Sequence, residues 1–297
     1  MATFQRGKTD SQKLISGYID ALGLLGFHGF WQVSRTLDRI PNLPKRLLAL
    51  RGYLKREKKS PGRVRDRWAF TQQQFDDFSA TAAGELLTRE LRAVKRRFKK
   101  LTDDEFRLGN GSKFRSLDTQ VKYWNGRSNV QQMADQLMEK MNRKVKKRMQ
   151  EKTGSFQIPT YPTIGDYADR TQLQFKVAIP PAATLRNPNS PEAPRLSAEF
   201  QQLQSAFEDF SEQLCGIWLK GELKTSTPGI SHHGQAHAID FGIRENKKGG
   251  KKLVGASNAA KWKSSGFGKL LEQAMRGSKH FHGPLKHPNE PWHWEFH

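Results

Sequence analysis

The sequence predicts a mixed helix-and-strand protein, with helices filling the first half and short strands concentrated near the end. Three observations carry that expectation. Segments up to about residue 152 repeat their apolar residues at helical spacing. Ala238–Ile243 and Trp292–Phe296 are the clearest strand candidates of the last third. The length, 297 residues, allows two domains and a real core at about 150 residues per domain. With 35% hydrophobic and 27% charged residues, and Gly and Pro scattered, the composition is that of a folded, rather polar protein and not of a low-complexity one.

In chain order, residues 11–37 read as helix. Their most apolar stretch, Ala21–Trp31, is about half the roughly 20 residues a bilayer-crossing helix needs, and Gly23, Gly26 and Gly29 interrupt it. No membrane span is expected. Nor is a secretory leader, because Asp10 and Asp20 precede the apolar stretch and no small-residue cleavage site follows closely. Pro41 and Pro44 break the chain before Lys45–Lys59, a basic amphipathic helix built on Leu47, Leu48, Leu50 and Leu54. Ser60–Arg67 reads as a basic turn, Gln72–Lys100 as a longer helix, and Leu117–Lys152 as another. Met133, Leu137, Met141, Val145 and Met149 recur every four residues along the last of these, the spacing of a core-facing stripe. Thr171–Pro180 alternates Leu173, Phe175, Val177 and Ile179 with other residues as a half-buried strand does. A proline-rich loop follows, and Ser197–Leu214 returns to helical spacing.

Charge and chemistry are unevenly spread. Residues 1–150 carry 33 Lys+Arg against 15 Asp+Glu, residues 151–297 carry 18 against 14, and the chain totals +22. A basic half of this kind attracts an anionic polymer such as DNA, teichoic acid, lipopolysaccharide or peptidoglycan; no recognised nucleic-acid-binding motif accompanies it. Eight of the nine histidines fall between His232 and His297. The single cysteine, Cys215, can make no internal disulfide and no cysteine-rich metal site, so any metal is held by His, Asp or Glu. Beside Leu214 and Ile217 it reads as a small buried hydrophobe.

Two segments hold the informative residues, Pro228–Phe241 and Asn289–His297. His233 and Asp240 are seven residues apart, and a turn leading into a strand from Ala238 would let both face one ion. Glu290 precedes His293 by three, close enough to stand beside it without ligating. Two histidines and one aspartate form a three-ligand set, which for zinc is the catalytic pattern, with the fourth position left to water. A carboxylate beside that water can take its proton.

The pair S-x-H-x-x-x-x-x-x-D (Ser231, His233, Asp240) and E-P-W-H (Glu290–His293) resembles the D-alanyl-D-alanine carboxypeptidase family of zinc peptidases. That family includes vancomycin-resistance D,D-peptidases and phage endolysins that cut peptidoglycan stem peptides. Ala238 also fits its pattern, whereas Ala236 stands where the family has glycine. The resemblance implies a small α+β fold whose antiparallel sheet carries the metal ligands, with helices packed on its back. It implies that His233, Asp240 and His293 bind Zn2+, that Glu290 is the general base and that Ser231 binds substrate. An upstream Y/F-R-S-x-x-x-Q motif of the family fits Phe114-Arg115-Ser116 and Gln120. This makes Arg115 the oxyanion-stabilising residue, with Lys224 or Arg195 as alternatives, and Gln120 a substrate-binding candidate beside Ser231; Trp292, turned away from the ion, packs into the core or lines the cleft as a further substrate-binding candidate. Trp294 is expected in the core. His232, His237, His280, His282, His287 and His297 lie nearby as alternative ligands or supporting groups.

The expected organisation is thus a basic helical anchoring or assembly region over 1–100 and a zinc peptidase domain over 101–297. An insertion around 150–215 would account for the long gap between Gln120 and Ser231. The expected function is hydrolysis of an amide bond in the peptidoglycan stem peptide or cross-bridge, as carboxypeptidase or endopeptidase. The setting implied is a phage virion, in its tail or interior, or a lytic protein released to the bacterial cell wall. Expected partners are peptidoglycan, other virion or tail proteins, and an anionic polymer (DNA or envelope) held by the basic N-terminal half. The alternative is a structural or DNA-binding virion component with a vestigial peptidase site.

Overall fold

The computed structural model of the chain describes residues 10–25, 27, 30–109, 114–151, 208–221, 223, 225–255, 258–286 and 289–297. The expected strand Thr171–Pro180, the proline-rich loop, most of Ser197–Leu214, and Arg195, Lys224 and His287 lie outside them. Helices and two small antiparallel sheets together make an α+β architecture. Among the described residues no helix is long and apolar enough to cross a membrane.

The chain forms two compact units, and neither is a continuous stretch. One comprises Met1–Arg63 with Trp124–Thr225, the other Val64–Tyr123 with Ser226–His297. This corrects the expected division at residue 100. Gln72–Lys100 belongs with the candidate site, and between Gln120 and Ser231, where an insertion around 150–215 was expected, the described residues from Trp124 on belong to the other unit. The reason is that each unit closes its core from sequence-distant pieces, which a reading in chain order does not see. The charge asymmetry changes with the division: the first unit holds 27 Lys+Arg against 15 Asp+Glu and the second 24 against 14. The cationic excess, concentrated in the N-terminal half of the sequence, is thus shared between the two units.

In the first unit, α1 (Asp10–Leu25) and α2 (Gln32–Asp38) replace the single helix expected over 11–37. Helix α3 (Leu43–Lys59) starts where expected, with Asn42 capping the Lys45 amide at 3.0 Å and Pro44 in the first turn, where a missing N–H costs nothing. The expected helix Leu117–Lys152 is two, α7 (Leu117–Gly126), which counts with the second unit as far as Tyr123, and α8 (Ser128–Glu151), because Asn125-Gly126 ends the first. The methionine stripe is core, as its spacing indicates: Met133, Leu137, Met141 and Val145 are buried. Tyr18 stacks on Phe210 at 4.3 Å within the helical residues 208–216 (α9). Cys215 is only partly buried, correcting the buried-hydrophobe expectation.

In the second unit, a short helix α4 (Arg63–Asp66) begins where a turn was expected. The expected helix Gln72–Lys100 is split into α5 (Gln72–Ser79) and α6 (Ala82–Leu101), since Thr81 caps the Gly84 amide and starts a new helix. Leu87, Leu91, Val94 and Phe98 line one side of α6 and enter the core. That core is closed by Trp262 of α10 (Ala259–Ser264), Phe267 and Leu271 of α11 (Phe267–Met275), and the inner faces of the sheets. One sheet orders β1 (Phe106–Gly109), β3 (Gly242–Glu245) and β4 (Lys252–Val254); the other orders β2 (Ala238–Asp240), β6 (His293–Phe296) and β5 (Phe281–His282). The single strand expected over Ala238–Ile243 is therefore two, one in each sheet, with buried Phe241 at the crossing and its amide bonded to the Trp292 carbonyl at 3.0 Å.

Phe98 is fully buried in this core, 6.4 Å from the Phe267 ring. Phe98→Ala should cost about 3–5 kcal/mol of stability, the usual range for emptying a packed aromatic site. A denaturant titration checks this, and a loss below about 1 kcal/mol would show that the α6 contact is not part of the cooperative core.

Candidate metal centre

Strand pairing assembles the site. Asp240 on β2 lies directly opposite His293 on β6, so their side chains share one face, while Ile239 opposite Trp294 turns into the core. The third residue, His233, sits in a 3-10 turn, His232–Gln235, just before β2. That turn ends at Ala236, whose φ of 59° is left-handed. A glycine takes this conformation freely, and Ala236 offsets its cost by burying its methyl in the core.

One donor atom from each of His233, Asp240 and His293 lies within 4.8 Å of the other two, and all three residues are buried. The His293 Nδ1 is 3.0 Å from one Asp240 oxygen and the His233 Nε2 is 3.4 Å from the other. Burial pushes the His233 imidazole below its ordinary value, against the pull of Asp240. A neutral imidazole is the form that ligates. Burial works to raise the Asp240 carboxyl, but hydrogen bonds from His233 and His293, with the charges of His233 and Arg115, hold it far below the usual carboxylate range. This cluster can hold a metal ion: its nitrogen and oxygen donors suit a divalent cation, and no sulfur is among them.

Glu290 is placed by a turn. Its carbonyl accepts the His293 amide at 2.9 Å, with Pro291 at the second position, a favoured place for proline in a β-turn. The turn folds its carboxylate back to 3.8 Å from the His293 Nδ1.

Arg115 reaches the cluster from far away in sequence. Its guanidinium donates to Asp240, and its amide donates to the His233 carbonyl at 3.0 Å. Gln120 fixes it: the Gln120 amide nitrogen donates to the Arg115 carbonyl at 2.8 Å, and its oxygen accepts the Gly229 amide at 2.9 Å. Gln120 is 5% exposed with its amide tied to backbone at both ends, so it is a brace for Arg115, which corrects its expected substrate contact. Trp292, 6% exposed, is packed in the core cluster, one of the two places expected for it. Trp294 is buried there too. Ser231 is buried at the start of the 3-10 turn, its carbonyl accepting the Gly234 amide at 2.8 Å.

Three residues that the sequence reading missed adjoin these. The Tyr123 ring, 41% exposed, lies 5.9 Å from the Arg115 guanidinium carbon. Glu295, two residues beyond His293 and so on the same strand face, stands 2.8 Å from His232, 3.4 Å from His297 and 4.0 Å from His293. The His232 hydrogen bond holds the Glu295 carboxyl down at about 2. Arg67 bonds the other His232 nitrogen. His232, His237, His280, His282 and His297 fall outside the three-donor group.

No family model matches the chain, and neither the curated proteins nor the solved structures provide a match.

The Asp240 carboxylate stabilises the fold at every pH above its unfolded value of about 4, and that contribution is lost only as pH falls toward the much lower folded value. In chelator-treated protein, Asp240→Asn should cost about 1–3 kcal/mol at pH 7, with the difference narrowing only below pH of about 4. Denaturant midpoints measured across pH 3–8 check the sign; a cost that vanished at pH 6 would contradict it.

Proposed function

We propose that the protein is a zinc-dependent peptidase that hydrolyses an amide bond of the peptidoglycan stem peptide or cross-bridge, as part of a phage virion or as a phage lytic protein. The observation that carries this reading is the buried His233–Asp240–His293 donor group, with the Glu290 carboxylate 3.8 Å from His293 and the Arg115 guanidinium bonded to Asp240. The motif resemblance supplies the substrate class, and the geometry supports the roles.

His233, Asp240 and His293 would hold the ion, and their donor set fits zinc with a position left open. Zinc, when bound, supplies Lewis-acid polarisation of a water and of the scissile carbonyl. Glu290, half-buried beside His293, takes the proton from the attacking water and later delivers it to the leaving amine. The Arg115 guanidinium, 25% exposed and bonded to Asp240, with the Arg115 backbone held by the Gln120 brace, faces the oxygen on which negative charge develops as the carbonyl is attacked. A fixed guanidinium suits that task because it carries its charge at any working pH. Ser231 and Tyr123, beside the turn and Arg115 respectively, are the substrate-contacting candidates.

Glu290→Ala should lower peptidoglycan turnover by at least about 100-fold while zinc stays at one per chain. Arg115→Ala should lower kcat by about 100- to 1,000-fold, also with zinc retained. His293→Ala should lose the zinc. Mass spectrometry of released muropeptides and elemental analysis check all three, and full activity of Glu290→Ala would overturn the mechanism.

A further inference from the structure

The outer face of the β1-β3-β4 sheet carries an arrangement for which peptide hydrolysis gives no reason. Its inner row is apolar: Leu108, Ile243 and Val254, one per strand, are all buried in the core. The adjoining outer row is cationic. Arg107 lies directly opposite Arg244, Arg244 pairs in turn with Lys252, and all three are exposed. Like charges directly opposite on neighbouring strands cost stability. Among the described residues none of the three has an ion-pair partner, and the nearest acid on β3, Glu245, is engaged by Lys247 at 3.1 Å.

Glycines keep the row open. Gly109 and Gly242 pair beside it on the same face. A Cβ at Gly109 would stand 3.6 Å from the Arg244 Nε, and one at Gly255 would meet the Lys252 Nζ at 2.7 Å. The two long side chains thus lie along bare backbone. Strands about 4.8 Å apart set the three cations in a ladder about 10 Å long.

We propose that this row is a docking surface for a linear phosphodiester polymer of the cell wall, of the poly(polyol phosphate) kind, which holds the catalytic unit on its substrate. The choice of a wall polymer rests on the peptidase reading above. Charge complementarity selects a polyanion. The paired outer positions are Arg107, Gly109, Gly242, Arg244 and Lys252, with no aromatic side chain on which a nucleobase could stack, which disfavours single-stranded nucleic acid. Each cation that neutralises a phosphate releases a counterion, so binding weakens with salt in proportion to the phosphates engaged.

The test uses the full chain and purified poly(glycerol phosphate), with duplex DNA at equal phosphate concentration as the second arm. The triple variant Arg107→Gln, Arg244→Gln, Lys252→Gln should bind the polymer at least tenfold more weakly near 0.1 M salt, with the log–log salt slope reduced by about two to three. Arg244→Gln alone should move both quantities in the same direction. Hydrolysis of a small soluble muropeptide should be unchanged, so failure of docking and failure of the peptidase reading give different results. The triple variant Arg89→Gln, Arg92→Gln, Arg96→Gln removes the same charge from the exposed side of α6 and should leave polymer affinity within twofold. Equal losses in the two triple variants would reduce the effect to net charge and overturn the proposal. Unchanged polymer binding in the sheet variant would overturn it too, as would a sheet-dependent preference for DNA.

Discussion

A carboxylate taken out of water must be matched by partners or the fold loses several kcal/mol, and the second unit is organised around meeting that demand at Asp240. Two imidazoles and one guanidinium converge on it, arriving from a 3-10 turn, from the opposite strand and from a segment more than a hundred residues earlier. Such a cluster of compensating charge with one acid beside it serves equally to stabilise the fold and to present donors to a cation. The short sheets make sense on that basis. Phe241 anchors the chain as it leaves one sheet for the other, so the strand that delivers Asp240 is fixed immediately after it.

The same constraint explains the division of the chain. Arg115 and Gln120 belong to the first stretch of the second unit and His233 to the second stretch, yet the Arg115 amide bonds the His233 carbonyl and the Gln120 side chain bonds the Gly229 amide. The described residues that intervene, 124–151 and 208–221 among them, group with the N-terminal helices. Positive charge is uneven along the sequence but nearly even between the compact units, so the unit that holds the donor cluster carries a cationic excess of its own.

The spacings within each segment, His233 to Asp240 and Glu290 to His293, were legible in the sequence, whereas the pairing that brings Asp240 opposite His293 joins distant strands and was legible only through the motif resemblance. Arg115 was legible only through its motif, since nothing in composition shows that a segment so distant returns to the site. Helix breaks at Thr81 and Asn125-Gly126 were missed where a cap or glycine interrupts an otherwise continuous apolar period. Alternation along the strand turned Trp292 away from the ion but left open whether it packs in the core or lines the cleft, and its burial among core neighbours follows from tertiary packing. Glu295, Tyr123 and the Arg107–Arg244–Lys252 row depend on pairing between distant strands or on packing, which periodicity does not encode.

X-ray absorption at the zinc edge of the reconstituted protein tests the central claim most directly. The account predicts one zinc per chain with only nitrogen and oxygen neighbours at about 2.0–2.1 Å, two of them imidazoles, and loss of the signal in Asp240→Ala. A sulfur neighbour near 2.3 Å, or a spectrum unaltered by that substitution, would contradict it.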